Sequence, residues 1–290
     1  MEQKERRSLS ILIASMIIFG TIGIVRKNID LPSEVLAFAR GILGGTFLCM
    51  FLKARGRRFA WSRISKKNLL LLIITGTLIG INWILLFEAY NYTTVAVATL
   101  CYYMQPVIVL LVSPIVLKEK LTVRKILCIL TACFGMVLVS GVAGQVAGGS
   151  QPIKGILLGL GAAALYASVV ILNKLIQGVP VYEKTIIQLF SAAILLLPYM
   201  IPHGSLHAYH LSTLGIIMLL TAGIVHTGIA YAMYFGSVEN LPAQTSALLS
   251  YIDPVTAVLL SALLLKEPLS LPGWIGTFLI IGAAMVSETG

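Results

Sequence analysis

Three titratable side chains, Glu88, His226 and Asp253, fall inside long apolar stretches of this 290-residue chain. Ionisable groups are costly in such surroundings, and those retained generally face a bundle interior or a water-filled cavity, where they bind solutes or pass protons. The imidazole of His226 titrates near neutral pH and suits either task. Aromatic and amide side chains lie in the same kind of stretch: Asn82 and Trp83, then Tyr102, Tyr103 and Gln105, then Tyr166, Tyr231 and Tyr251. Together they can supply contact area, cation–π attraction for an organic cation and a few polar groups that orient a small solute. Recognition and proton exchange are the chemistry this set can do. No His-Glu-x-x-His, paired acidic motif, Cys–His set or phosphate-binding glycine loop occurs, so no catalytic residue, metal or cofactor is expected. Cys49, Cys101, Cys128 and Cys133 all lie within apolar segments, which is not a disulfide framework.

Each candidate also has a structural reading. Glu88 lies near a segment end and can snorkel to water. His226 can sit neutral, bonded between helices. Tyr90 and Tyr92 read as an interfacial belt. Arg40, six residues into an apolar segment, reads as a snorkelling or helix-pairing residue. His203, His207 and His210 read as a solvated loop.

Membrane-spanning helices must position these groups. Hydrophobic residues make up 58% of the chain and charged residues 11%, where a soluble domain carries about 25% charge. The mean hydropathy is +0.95. A spanning helix needs about 20 mostly apolar residues. Ten segments qualify or nearly so: Leu9–Val25, Val35–Leu52, Leu69–Glu88, Val95–Leu117, Lys125–Gly141, Gly155–Leu175, Thr185–Ile201, Leu214–Phe235, Ala243–Leu265 and Pro272–Ser287. The first follows Lys4, Arg6 and Arg7 and has no convincing cleavage site, so it reads as a retained helix. With the N-terminus inside, sixteen Lys and Arg residues fall on inner segments and four on outer ones. That asymmetry places both termini in the cytoplasm. It also explains the formal charge of +10 as membrane orientation rather than nucleic-acid binding.

The fourth and ninth segments repeat one another. YYMQPVIVLLVSPIVLKEKLT begins at Tyr102 and SYIDPVTAVLLSALLLKEPLS at Ser250, with Tyr103, Pro106, Lys118 and Glu119 recurring 148 positions later as Tyr251, Pro254, Lys266 and Glu267. The expected organisation is a five-helix repeat over residues 1–143, a linker over 144–154 and a second repeat over 155–290. Five is odd, so the second copy enters the membrane upside down. Inverted repeats build a midplane site that opens to either side in turn. Pro106 and Pro254 each remove a backbone donor and kink their helices, freeing carbonyls near Tyr102 and Ser250. Lys118–Glu119 and Lys266–Glu267 read as end-caps on opposite faces.

The paired Pro-(apolar run)-Leu-Lys-Glu-x-Leu segments, each followed by a glycine-containing helix (Gly135 and Gly141; Gly276 and Gly282), resemble the ten-helix EamA-type members of the drug/metabolite transporter superfamily. The resemblance covers the whole chain. It implies an all-α bundle in a bacterial-type inner membrane, whose third, fourth, sixth, eighth and ninth helices line a central cavity. The fifth and tenth helices would be peripheral and open to homodimer formation. The expected function is a secondary active transporter or facilitator of a small organic solute, an amino acid or amphipathic amine, exported by alternating access and with protons as a candidate coupling ion. The alternatives are a carrier of anionic or phosphorylated metabolites, which would call for several deep cations where only Arg40 is available, and a membrane-embedded transferase.

Overall fold

The computed structural model describes residues 2–59, 61–93, 95–140, 152–202, 209–264 and 271–288. Most of the expected linker, His203, His207, Lys266 and Glu267 therefore lie outside the described residues. The elements are helices throughout: α1 (Glu2–Gly20), α2 (Ile22–Lys27), α3 (Ser33–Ala54), α4 (Lys66–Tyr92), α5 (Val95–Tyr102), α6 (Gln105–Val116), α7 (Val123–Ser140), α8 (Pro152–Leu175), α9 (Val181–Met200), α10 (Thr213–Thr221), a π-helical stretch (Ala222–Ile229), α11 (Ala230–Val238), α12 (Ala243–Leu249), α13 (Ile252–Leu264) and α14 (Leu271–Glu288). Seven stretches among the described residues are long and apolar enough to cross a membrane: Gln3–Arg26, Ser33–Ala54, Lys66–Ala89, Val97–Val116, Pro152–Leu175, Val181–Met200 and Thr213–Val238. Leu271–Val286 forms a shorter apolar helix.

Helices from the two ends of the chain interleave. α1 packs on α11 and α13, α4 on α8 and α9, α6 on α8 and α12, α3 on α9 and the π stretch, and α7 on α14. Two of the glycines at close helix contacts bring backbones together. A Cβ on Gly20 would lie 2.5 Å from Thr256 Cβ and 2.7 Å from the Asp253 carbonyl, so only glycine lets α1 touch α13 there. A Cβ on Gly76 would lie 2.5 Å from the Gln188 carbonyl, which brings α4 against α9 at backbone distance.

Three expected spans are not regular helices. The fourth divides into α5 and α6 at Tyr103–Met104, and the ninth into α12 and α13 at Ser250–Tyr251. Pro106 and Pro254 sit in the first turn of the second piece in each case, where a missing N–H costs little. The prolines therefore start new helices rather than bend continuous ones. The eighth is interrupted by the π stretch. There Thr227 Oγ1 donates to the Ala222 carbonyl at 2.8 Å, and His226 Nδ1 lies 3.3 Å from the Thr221 carbonyl, both five residues back. Side-chain bonds of this reach favour the wider turn.

Candidate functional site

The two breaks border a cavity of about 200 Å³. Six expected site residues line it: Trp83, Tyr102, Tyr103, Tyr166, Tyr231 and Asp253. The tyrosines form a connected set, with Tyr102 and Tyr103 at 5.6 Å, Tyr102 and Tyr166 at 6.0 Å, and Trp83 edge-on to Tyr231 at 6.5 Å. These are ordinary aromatic pair distances, so the cage holds its own shape. Asp253 is the acidic group of the lining, and the Tyr103 hydroxyl hydrogen-bonds its carboxyl.

Arg40 also lines the cavity, which the snorkelling reading did not foresee. Its Nε donates to Thr227 Oγ1 at 3.0 Å, and its guanidinium lies 5.7 Å from the centre of the Trp83 ring. Thr227 is held by the π stretch, so the irregular turn is what aims the arginine inward. π-helical turns recur at functional sites for this kind of reason. Gln105, the counterpart of Asp253 in the repeat, lines the cavity too. It is 4% exposed, and its Nε2 has no hydrogen-bond acceptor among the described residues. A buried amide left open is costly unless something fills its valence.

The other expected residues stand outside the lining. Asn82 is buried and donates to the Ala162 carbonyl at 2.6 Å, joining α4 to α8. His226 has Thr21 Oγ1 at 2.7 Å from Nε2 and the Thr221 carbonyl near Nδ1. The Thr21 hydroxyl also reaches the Ile18 carbonyl at 2.8 Å, and these contacts tie the residue after α1 to the π stretch. Glu88 accepts from the Tyr199 hydroxyl at 2.5 Å. Tyr251 is fully buried in a second apolar cluster with Leu110, Ile129, Met136 and Ile280. It donates to the Tyr103 carbonyl at 3.0 Å, with Cys133 Sγ 3.1 Å from the same hydroxyl. A side chain at the α12–α13 break thus bonds a carbonyl at the α5–α6 break. Tyr251→Phe should remove that bond and lower stability by about 1 kcal/mol. A thermal scan in detergent at fixed rate checks this, and an unchanged midpoint would refute it.

Phe19, Tyr234 and Ser250 complete the polar and aromatic wall. Nothing in the type or spacing of Tyr234 distinguishes it from a packing residue. Ser250 had a signal, as the residue opening the repeated segment.

The cavity reaches Leu86 and Phe87, away from the end of α4 that begins at Lys66. That basic end is closed by a polar network. Glu119 accepts from the backbone N–H groups of Ala243 at 2.8 Å and Gln244 at 3.4 Å, capping α12, and pairs with Lys174 at 3.9 Å. Lys174 also donates to the Leu241 carbonyl. Lys184 is fully buried; it donates to the Ile176 carbonyl at 2.9 Å and pairs with Glu239 at 3.4 Å. Gln244 Nε2 donates to Ser113 Oγ at 3.1 Å. Lys118 has φ +56°, a left-handed turn out of α6 that is unfavourable for a residue with a Cβ; it redirects the chain so that Glu119 reaches α12. Among the described residues no group of three His, Cys, Asp or Glu side chains could hold a metal.

The family model described as "EamA-like transporter family" matches residues 6–141 and again residues 153–289. The chain is 32% identical over 249 residues to "Uncharacterized transporter YxxF" of Bacillus subtilis, covering 86% of this chain and 79% of that one. It is 23% identical over 291 residues to "Uncharacterized inner membrane transporter YicL" of Salmonella typhimurium, covering 96% and 93%. A solved crystal structure superposes with a TM-score of 0.83 at 20% identity, covering 98% of each chain. At that identity the likeness is one of fold.

Proposed function

The chain belongs to the EamA-like transporter family, and from that premise we propose that it carries a small solute with both an ammonium and a carboxylate group, an amino acid or a close relative, outward across a bacterial inner membrane. As a multi-pass membrane transporter it needs a site that discriminates solutes without altering them. The observation that carries the reading is the pairing of Asp253 with Arg40 and the open Gln105 amide in one aromatic cavity. An ammonium would sit against Asp253 and the tyrosine faces. A carboxylate would sit on Arg40, whose fork suits it, with Gln105 as a further donor.

Ten spans in two inverted repeats, over residues 1–143 and 155–290, are the arrangement we propose. The packing supports it. Shifted by 148 positions, the contact of α1 with α11 becomes that of α8 with α4. In the same way α1 on α13 becomes α8 on α6, and α3 on α9 and α7 on α14 map onto themselves. A pseudo-two-fold axis would produce such a set. With the basic end in the cytoplasm, the sealed network lies inside and the cavity on the outer side, an outward-facing state of an alternating-access cycle. Protons are the proposed coupling ion, with Asp253 the carboxyl best placed to carry one; His226 and Glu88 are already bonded elsewhere.

Arg40 also favours a second reading, an anionic or phosphorylated solute. A single arginine in a lining that also holds an aspartate makes that the weaker match. The test is uptake and counterflow in proteoliposomes of purified protein, with labelled amino acids, organic amines and sugar phosphates, and with or without an imposed pH gradient. Gradient-driven flux of amino acids above protein-free vesicles is expected. Flux of phosphate esters alone would move the assignment to the second reading, and flux of none would remove both.

A further inference from the structure

A larger concavity lies off the axis, at the basic end. It is a groove of about 540 Å³ between α1, α3 and α11, floored by Val181 and Tyr182 at the start of α9. α1 and α11 run antiparallel along it, so polar groups gather at one end and apolar groups at the other. Lys4 and Arg7 from α1 stand opposite Ser237 of α11 and Asn240 just beyond it, while Ile11, Phe47, Ile229 and Met233 line the deeper part. Among the described residues no acidic side chain lines the groove. Arg55 lies beside it, its guanidinium 5.1 Å from the ring of Phe51, another wall residue. Ser237 supplies an independent observation. It is 2% exposed, and its hydroxyl has no hydrogen-bond partner among the described residues. A buried hydroxyl without an acceptor is costly, and this one borders the groove.

We propose that the groove holds a phospholipid with an anionic head group. The phosphate lies between Lys4 and Arg7, an ester carbonyl of the lipid accepts from Ser237, and an acyl chain follows Phe47, Ile229 and Met233 inward. Opposite charge selects the head, and the apolar floor selects against a soluble anion. The site is separate from the solute cavity; apart from the membrane setting, it rests on none of the transport reading.

The test is native mass spectrometry of the full-length protein in detergent, offered phosphatidylglycerol or phosphatidylcholine of the same chains. Phosphatidylglycerol should be retained about tenfold better, from two cations acting near the head. The Lys4→Ala/Arg7→Ala variant should lose that preference, and Met233→Trp, which fills the apolar part, should lose retention of both lipids with the cations intact. Ser237→Ala, the mildest change, should weaken retention about threefold, and it serves if Met233→Trp fails to fold. Equal retention of the two lipids by the wild type would overturn the proposal. So would full retention by Met233→Trp, since the lipid would then lie elsewhere, for instance on the basic segment from Lys53 to Lys67. Glycerol 3-phosphate bound as tightly as the lipid would make this a soluble-anion site and would equally end the proposal. Each readout is independent of solute flux, so its failure leaves the transport assay to be judged alone.

Discussion

Asp253→Asn should reduce solute transport by about 30-fold or more while the protein remains folded. The asparagine keeps the shape and can still accept from Tyr103. It cannot neutralise an ammonium, and truncating one partner of a desolvated charge pair costs about 2–5 kcal/mol, or about 30-fold and upward. The same variant should remove any dependence on a pH gradient, because among the described residues no other carboxyl lines the cavity. The measurement is initial flux and counterflow in proteoliposomes beside circular dichroism of the purified variant. Transport within threefold of wild type would exclude Asp253 from solute binding. Counterflow that persists after gradient-driven flux is lost would assign it to coupling alone.

Glu119→Ala should open the basic end. Glu119 takes two backbone N–H groups at the start of α12 and faces Lys174, and it joins a segment from one repeat to helices of the other. Losing an N-terminal cap costs about 1 kcal/mol, and losing a largely sheltered ion pair adds a comparable amount. Together, about 2 kcal/mol would shift a two-state equilibrium about 30-fold. The readout is maleimide labelling of Ser113→Cys, a fully buried position behind Gln244, in a background lacking the native cysteines. Labelling from the basic side should rise at least tenfold in Glu119→Ala and stay unchanged in Lys120→Ala, outside the network. Equal labelling with and without Glu119 would reduce the network to a helix cap.

The polar and aromatic residues of the third, fourth, sixth, eighth and ninth spans were legible because burial in an apolar run marks a polar group whatever its partners. The same logic could not say which way each side chain points. Asn82, His226 and Tyr251 are as buried as a cavity residue would be, but each spends a side-chain polar atom on a bond to another helix or its end. Of the two readings of Arg40, the bond to Thr227 fits helix pairing and not snorkelling. Its depth fitted a snorkelling side chain, and what turns it inward is Thr227, nearly two hundred residues away on a π turn without a sequence pattern of its own. The prolines announced irregular backbone correctly. Whether a helix bends or restarts depends on the turn before the proline, and Tyr103–Met104 and Ser250–Tyr251 carry no residue that would have told the two apart.

Tyr103 and Tyr251 occupy equivalent places in the two repeats, yet they touch each other, with rings 6.4 Å apart. A residue can contact its own counterpart only beside the axis relating the copies. Their hydroxyls are nonetheless used differently: Tyr251 binds the Tyr103 carbonyl, whereas Tyr103 binds Asp253, whose counterpart is Gln105. In the proposed alternating-access cycle of inverted repeats, inversion therefore cannot regenerate an identical site on the other face. Half-saturation should differ between the two sides of the membrane, so the carrier would rectify in rate. Unequal affinities cannot create accumulation by themselves, because a solute shifts a conformational equilibrium only by its own differential binding. Any net concentration built across the bilayer must come from a second, coupled species.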